Sequence, residues 1–392
     1  MRVQDLVSGA QSPGELFVNA VCDQAKHGPG LPYVLTYAPL AQINPFQRLL
    51  YCRAAQAGYA VVPAVRFDEL GAVNWRGRSI YHLHWLASVL SGVKSNDDAN
   101  ARIKSFEQSM LQWQKNGHKI VWTMHNILPH NVAFEKAEIA LREVVVEYAD
   151  AIHVMSEEST ERASKYYKVP NEKVFFVPHP SYENWYANAK DPTTARFDLG
   201  VSQKDFVFIQ FGALHRYKGI IELIDAYKSL QAKYISRSFR LVIAGMPSDK
   251  SYLSEILDAI SNVSTISLIQ GAMQEKEIQT LFNAADVIVA PYVQTLNSGV
   301  ALLAATFKKP LVAPATAGVS HTYSEDMTLL YNGRPGNKLI DAMERSLSYS
   351  MSETVFMNIL DKHKPDAISL RFCNELTERL FTTSKNDMVC GQ

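Results

Sequence analysis

Short apolar runs rich in Val, Ile and aromatic residues recur along the whole chain, with amphipathic stretches between them. In the first half the runs are YVLTYAP (33–39), AVVPAV (60–65), SIYHLHW (79–85), KIVWTMHN (119–126), AIHVMS (151–156) and KVFFVPHP (173–180). The second half repeats the rhythm with DFVFIQFG (205–212), RLVIAG (240–245), TISLIQG (265–271), DVIVAPY (286–292), PLVAP (310–314) and MTLLYN (327–332). Most runs are continuous rather than alternating in hydrophobicity, as a parallel strand covered on both faces requires. The intervals read as helices. PFQRLLYCRAAQAG puts Phe46, Leu49, Leu50 and Ala54 on one face and ends at Gly58, a residue suited to a helix end. Strand–helix–strand order with right-handed crossovers predicts two doubly wound α/β domains. The polar stretch SYENWYANAKDPTTARFDLG (181–200) breaks the rhythm and is the expected link, which sets the domains at about residues 1–190 and 200–350. A helical tail over about residues 360–392 is placed to pack back on the first domain.

The chain has 392 residues, 47% of them apolar, enough for two sizeable cores. Its 39 Lys and Arg balance its 39 Asp and Glu, so no basic surplus invites nucleic acid. Cys22, Cys52, Cys373 and Cys390 stand far apart with no CxxC pair, which argues for reduced, core-filling thiols rather than a disulfide framework or zinc site. The opening MRVQDLVSGAQSPGEL has no apolar segment of an export signal, and no run approaches the roughly 20 apolar residues of a membrane span. A cytoplasmic protein is the expectation.

Two segments carry most of the chemistry. In FIQFGALHRYKGIIELIDAY (208–227) a strand ends at Phe211-Gly212, the loop ALHRY follows, and a helix begins near Lys218-Gly219. Glycine admits a ligand close to the backbone, and a helix start offers unpaired N–H groups at its positive end. Arg216 and Lys218 add cations, so the loop suits a diphosphate outside the strand ends; the plainer reading is an exposed loop with two solvated cations. In DVIVAPYVQTLNSGVALLAATFKKPLVAP (286–314) a strand ends at Pro291-Tyr292 and a helix opens at Asn297-Ser298-Gly299. That sequence also suits simple helix capping, but a second helix start beside the first makes a metal-free diphosphate clamp. No Asp-x-Asp pattern, a common way to hold a divalent cation with such a donor, is present.

The order GALHRYKG, VIAG, IQG and ADVIVAPY…SG…ALLAATFKKPLVAP resembles the donor domain of GT-B glycosyltransferases, among them the bacterial enzymes of exopolysaccharide and lipopolysaccharide assembly. YHLHW, WTMHN, ADAIHVMSEES and VPHPSY resemble the acceptor-side signatures of the same group, so the likeness covers about residues 33–345. It implies two Rossmann-like domains facing a central cleft, with the first on the acceptor side and the second binding a GDP- or UDP-linked sugar. It also implies transfer to a glycan or lipid-linked glycan, with base recognition around Gly271-Ala272-Met273. Two departures stand out. Retaining members often carry two glutamates where this chain has Thr295 and Leu303, and many carry Arg where this chain has Ala213. The missing carboxylates favour an inverting enzyme, similar to β-mannosyltransferases and β-glucuronosyltransferases of polysaccharide assembly.

Inversion needs a general base, typically worth about 10²–10⁴ in rate. The candidates are His84, His125 and His130, with Glu135 just beyond, all near strand ends of the first domain. A structural histidine bonded at a strand end is the competing reading for each. His125 resembles the histidine that related enzymes place beside the donor sugar, and His179 reads as a linker or donor contact. ARIKSFEQSMLQWQKNGHK (101–119) is basic and amphipathic, suited to packing on the sheet or to resting on the inner, anionic membrane surface near a lipid-linked acceptor. A sugar-nucleotide epimerase or a phosphorylase would keep this fold with another reaction. A non-catalytic nucleotide-sugar-binding protein would normally carry an export signal.

Overall fold

The computed structural model describes residues 13–72, 75, 77–129, 132–292 and 299–382. The chain divides into two compact units, Met1–Pro180 with Pro365–Gln392, and Ser181–Lys364.

The first unit holds β1 (Tyr33–Ala38), β2 (Tyr59–Pro63), β3 (Ser79–Leu83), β4 (Lys119–Thr123), β5 (Ala151–Val154) and β6 (Val174–Phe176). They form one sheet in the order β2-β1-β3-β4-β5-β6, parallel throughout. Each strand falls within an apolar run read from the sequence or one residue beyond its end. The burial is two-sided, as continuous apolar strands require. On one face Trp122 and Ile152 pack with Phe106, Met110 and Trp113 of the helix Asn96–Lys115. On the other, Leu35, Val121 and Phe175 meet Phe46 and Leu50 of the short helix Phe46–Leu50 and Phe372 and Leu376 of the terminal helix Pro365–Phe381.

Ser95 caps the helix Asn96–Lys115 by accepting from the Asp98 amide at 3.2 Å. Its apolar face, with Ile103, Phe106, Met110 and Trp113 all buried, is spent inside the unit. The membrane-resting reading of this segment is therefore corrected, because one face cannot be dry in the core and inserted in lipid. Among the described residues no helix is long and apolar enough to cross a membrane. Cys22, Cys52 and Cys373 are all free thiols; Cys373 fills the core as expected, Cys22 and Cys52 are exposed instead, and Cys390 lies outside the described residues.

The second unit holds β7 (Phe206–Phe211), β8 (Phe239–Gly245), β9 (Ile266–Gln270), β10 (Val287–Val289), β11 (Leu311–Pro314) and β12 (Leu330–Tyr331), in the order β12-β11-β10-β7-β8-β9 and again parallel. Central β7 lies between β8 and β10, and Phe208, Leu241 and Val289 pack on Leu223, Ile224 and Tyr227 of the helix Ile220–Lys233. Both sheets are doubly wound, and the C-terminal ends of their strands carry the loops described next.

Candidate functional site

In the second unit β7 runs out at Gly212, whose φ of +114° lies where side-chain-bearing residues rarely go. A Cβ there would stand 3.1 Å from Lys218 Nζ and 4.0 Å from Val300 Cγ2. Gly212, Lys218 and the first turn of the helix Gly299–Thr306 thus meet at one point, beside the start of the helix Ile220–Lys233. Lys218 ends a single 3₁₀ turn, Arg216–Lys218, and Gly219 (φ +67°) joins that turn to the helix. The Lys218 ammonium is buried, donates to Tyr292 Oη at 3.2 Å and sits 4.6 Å from the Tyr292 ring centre. Among the described residues no carboxylate is paired with it. The ammonium also lies 5.8 Å from the Tyr217 ring centre, and a buried ammonium held by a phenol and two ring faces is short of compensating charge, which an anion would supply.

Arg216 lies apart. Its guanidinium makes a two-pronged contact with Glu255 (2.5 Å on each arm), lies 4.7 Å from the Tyr252 ring centre and remains over half exposed. The two cations expected to act together are therefore separated, one buried at the strand end and one tied to the helix Lys250–Ile260. Gly271 follows β9 at φ +111°, its amide bonded to the Gly245 carbonyl at 3.0 Å, with open space on its Cβ side. Asn297 and Ser298 lie outside the described residues, as does Thr295; Gly299 opens the helix Gly299–Thr306. Leu303 is 3% exposed within that helix.

In the first unit four histidines share one face of the sheet. His82 and His84 alternate along and just past β3, His125 follows β4, and His153 stands on β5 paired with Thr123. Tyr51, next after the helix Phe46–Leu50, reaches His82 Nδ1 at 2.6 Å and His84 Nε2 at 2.9 Å. His84 Nδ1 meets His125 Nε2 at 2.9 Å, so both of its ring nitrogens are engaged. Thr123 Oγ1 bridges His82 Nε2 at 2.7 Å and His153 Nδ1 at 3.0 Å, and His153 Nε2 donates to the Val177 carbonyl at 2.8 Å. Burial holds His82, His84 and His125 well below the ordinary imidazole value, with charge repulsion among the rings adding to it. Burial also takes His153 down to about 4 against the opposing pull of the Val177 bond.

His125 is half-buried, stacked on Trp85 at 4.0 Å, and borders a recess of about 40 Å³ with His84, Trp122, Asn126 and Arg142. Of the expected base candidates it alone presents a ring nitrogen outside the hydrogen-bonded cluster. His84 has both ring nitrogens engaged inside the cluster, and His130 lies outside the described residues. Glu135 opens the helix Glu135–Tyr148 and is exposed, and His179 Nδ1 donates to the Pro180 carbonyl at 2.7 Å. Tyr51, Thr123, His153 and Arg142 were not singled out from sequence. Arg142 is 3% exposed, bonded to Glu138 at 2.6 Å, and its Nε has no partner. A detectable signal existed for two of them: Thr123 and His153 are polar positions in otherwise apolar strands.

Residues 205–348 match the family of glycosyl transferases group 1. The chain is 24% identical over 314 residues to the GDP-mannose:glycolipid 4-beta-D-mannosyltransferase of Xanthomonas campestris pv. campestris, covering 79% of this chain and 81% of the relative. It is also 24% identical over 233 residues to the D-inositol 3-phosphate glycosyltransferase of Corynebacterium aurimucosum, covering 58% of this chain and 55% of the relative. Anabaena HepE, solved in complex with UDP and glucose, is similar with a TM-score of 0.65 at 13% identity, over 88% of this chain and 100% of that one. Sucrose-phosphate synthase from Thermosynechococcus elongatus gives 0.65 at 16% identity, over 90% and 100%. With a group 1 glycosyl transferase domain in its second unit and two GT-B sheets, the chain is a glycosyltransferase of the GT-B fold.

Proposed function

We propose that the chain transfers mannose from GDP-mannose to a lipid-linked glycan at the cytoplasmic face of the membrane, without a metal ion and with inversion. The observation that carries the donor half is the buried Lys218 ammonium, which lies against Gly212 on the side where Val300 of the Gly299–Thr306 helix also approaches and has no carboxylate partner among the described residues. Two leaving phosphates would replace the missing counter-charge, and helix-start amides would do the work otherwise given to a cation. The choice of GDP-mannose and of a glycolipid acceptor follows the Xanthomonas relative. The inverting course is supported by buried, apolar Leu303, which leaves no carboxylate at that position of the donor helix. His125 is the group assigned to the acceptor hydroxyl proton.

A thermal-shift screen of the purified chain against GDP, UDP, ADP, TDP and CMP, each with EDTA, tests the donor. GDP should raise the melting temperature, since a ligand present at 100 times its Kd stabilises by about 2.7 kcal/mol. Lys218→Ala should abolish that shift. Binding that survives in the variant, or that needs magnesium or manganese, would remove the clamp. A shift with UDP alone would replace the donor and leave the clamp standing. With a working acceptor, the anomeric configuration of the product, read by NMR, decides inversion.

A further inference from the structure

One contact in the histidine cluster has a fixed polarity. The Val177 carbonyl can only accept, so His153 Nε2 carries a hydrogen. A neutral His153 then has a bare Nδ1, which must accept from the Thr123 hydroxyl. With its single hydrogen used, Thr123 Oγ1 accepts from His82 Nε2, leaving His82 Nδ1 to accept from Tyr51. The Tyr51 oxygen then accepts from His84 Nε2, and His84 Nδ1 accepts from His125 Nε2. Six bonds run head to tail, each donor pointing away from His125. The reverse polarity would set two lone pairs face to face at Val177 or require a buried imidazolium.

We infer that this chain locks His125 in the Nε2–H tautomer and leaves its Nδ1 lone pair for a substrate proton, with Tyr51, His82, His84, Thr123 and His153 as positioning residues. The inference rests on the reading that His125 touches the acceptor. Aligned hydrogen bonds polarise one another, so the chain also raises electron density at Nδ1. It is not a proton exit, because its far end is a carbonyl that cannot take the proton onward. Among the described residues no carboxylate bonds to any ring of the chain. The charged and titratable groups nearest it are Arg142 at the recess, Arg371 near His153, and His179 near both His125 and His153. Burial, with the crowding of the rings and, at His153, Arg371 adding to it, favours neutral rings, the condition on which the polarity depends. Phe372 of the terminal helix seals the middle, stacked on His82 at 5.3 Å and edge-on to His153 at 5.1 Å.

The test is the nitrogen spectrum of the full chain with ¹⁵N-labelled histidine, the His125 signals being those lost in His125→Gln. The wild type should show a protonated Nε2 and a bare Nδ1 at pH 7.5. Thr123→Val, nearly isosteric, cuts the chain from its anchor and should give a mixture of tautomers, whereas Thr123→Ser should keep the single form. Turnover with the donor chosen by the nucleotide screen should fall about 10- to 100-fold in Thr123→Val with donor KM within about twofold, as expected for partners that set a histidine's tautomer. Should Thr123→Val fail to fold, Tyr51→Phe breaks the same chain two residues nearer His125. A His125 hydrogen on Nδ1 in the wild type, or an unchanged tautomer in both cut variants, overturns the inference. A wild type with the stated tautomer but no sugar transfer upholds the locked chain and sinks only the transferase role.

Discussion

Gly219 lies so close to the Pro291 carbonyl that a Cβ at residue 219 would stand 2.2 Å from its oxygen. This contact ties the loop after β7 to the end of the segment that follows β10, and it is why the Lys218 ammonium comes to rest beside Tyr292. The φ of +67° at Gly219 adds a second demand for glycine. Replacement by alanine must either move one strand end or leave the left-handed region.

Gly219→Ala is therefore expected to cost about 2–4 kcal/mol, combining left-handed strain with overpacking against backbone. Gly212→Ala should behave differently. Its Cβ would press on the tip of the Lys218 side chain, which can yield, so the packing part of the loss is smaller, the backbone strain at φ +114° remains, and the ammonium is displaced. Urea melts paired with nucleotide titrations separate the two. A Gly212→Ala protein with wild-type nucleotide affinity would show that the close approach does not set the Lys218 position.

Arg216 offers a contrast between charge and burial. Its pair with Glu255 is exposed and screened by solvent, so it adds little to stability and Glu255→Gln should leave the melt nearly unchanged. Freed from its carboxylate, Arg216 becomes available to phosphate, and GDP affinity at low salt should rise a few-fold. Arg216→Gln should lower affinity far less than Lys218→Ala. If Arg216→Gln proves as damaging as Lys218→Ala, the ion pair with Glu255 opens on binding and the two cations act together.

The strand rhythm was legible because parallel strands covered on both faces must be continuously apolar, and the runs at 33–39, 119–126 and 205–212 contain β1, β4 and β7. Lys218 and Gly212 were legible because a strand, a glycine and a helix start leave a local pattern. The partner of Arg216 was not, since Glu255 is 39 residues away and sits on another helix. The histidine chain was half legible: alternate polar positions in His82 and His84, or Thr123 and His125, mark one face of adjacent strands. Tyr51 reaches them from a helix outside the sheet, and no spacing in sequence reports that approach. The amphipathic stretch 101–119 fits a sheet and a bilayer equally well until its partners are known, here Trp122 and its neighbours.

The locked chain makes a prediction about acid. Unfolded, each histidine titrates near 6.5; folded, His82, His84 and His125 lie well below that and His153 near 4. Between those values the unfolded chain binds more protons, so stability is complete above about pH 6.5 and falls as the pH drops, by up to about 1.4 kcal/mol per pH unit for each group. Carboxylates such as Glu255 and Asp191, depressed from 4.5 and 3.8, add their own losses only lower down. Urea melts from pH 7.5 to 5 should therefore show a falling midpoint before any carboxylate titrates, and proton uptake on unfolding at pH 5.5 should exceed one. His153→Gln, which removes one buried ring, should be less stable at pH 7.5 yet lose less on going to pH 5. Stability that stays level between pH 7 and 5 would mean the folded rings take up protons as readily as the unfolded chain does, and below about pH 6.5 a charged His153 would no longer dictate which nitrogen of His125 is bare.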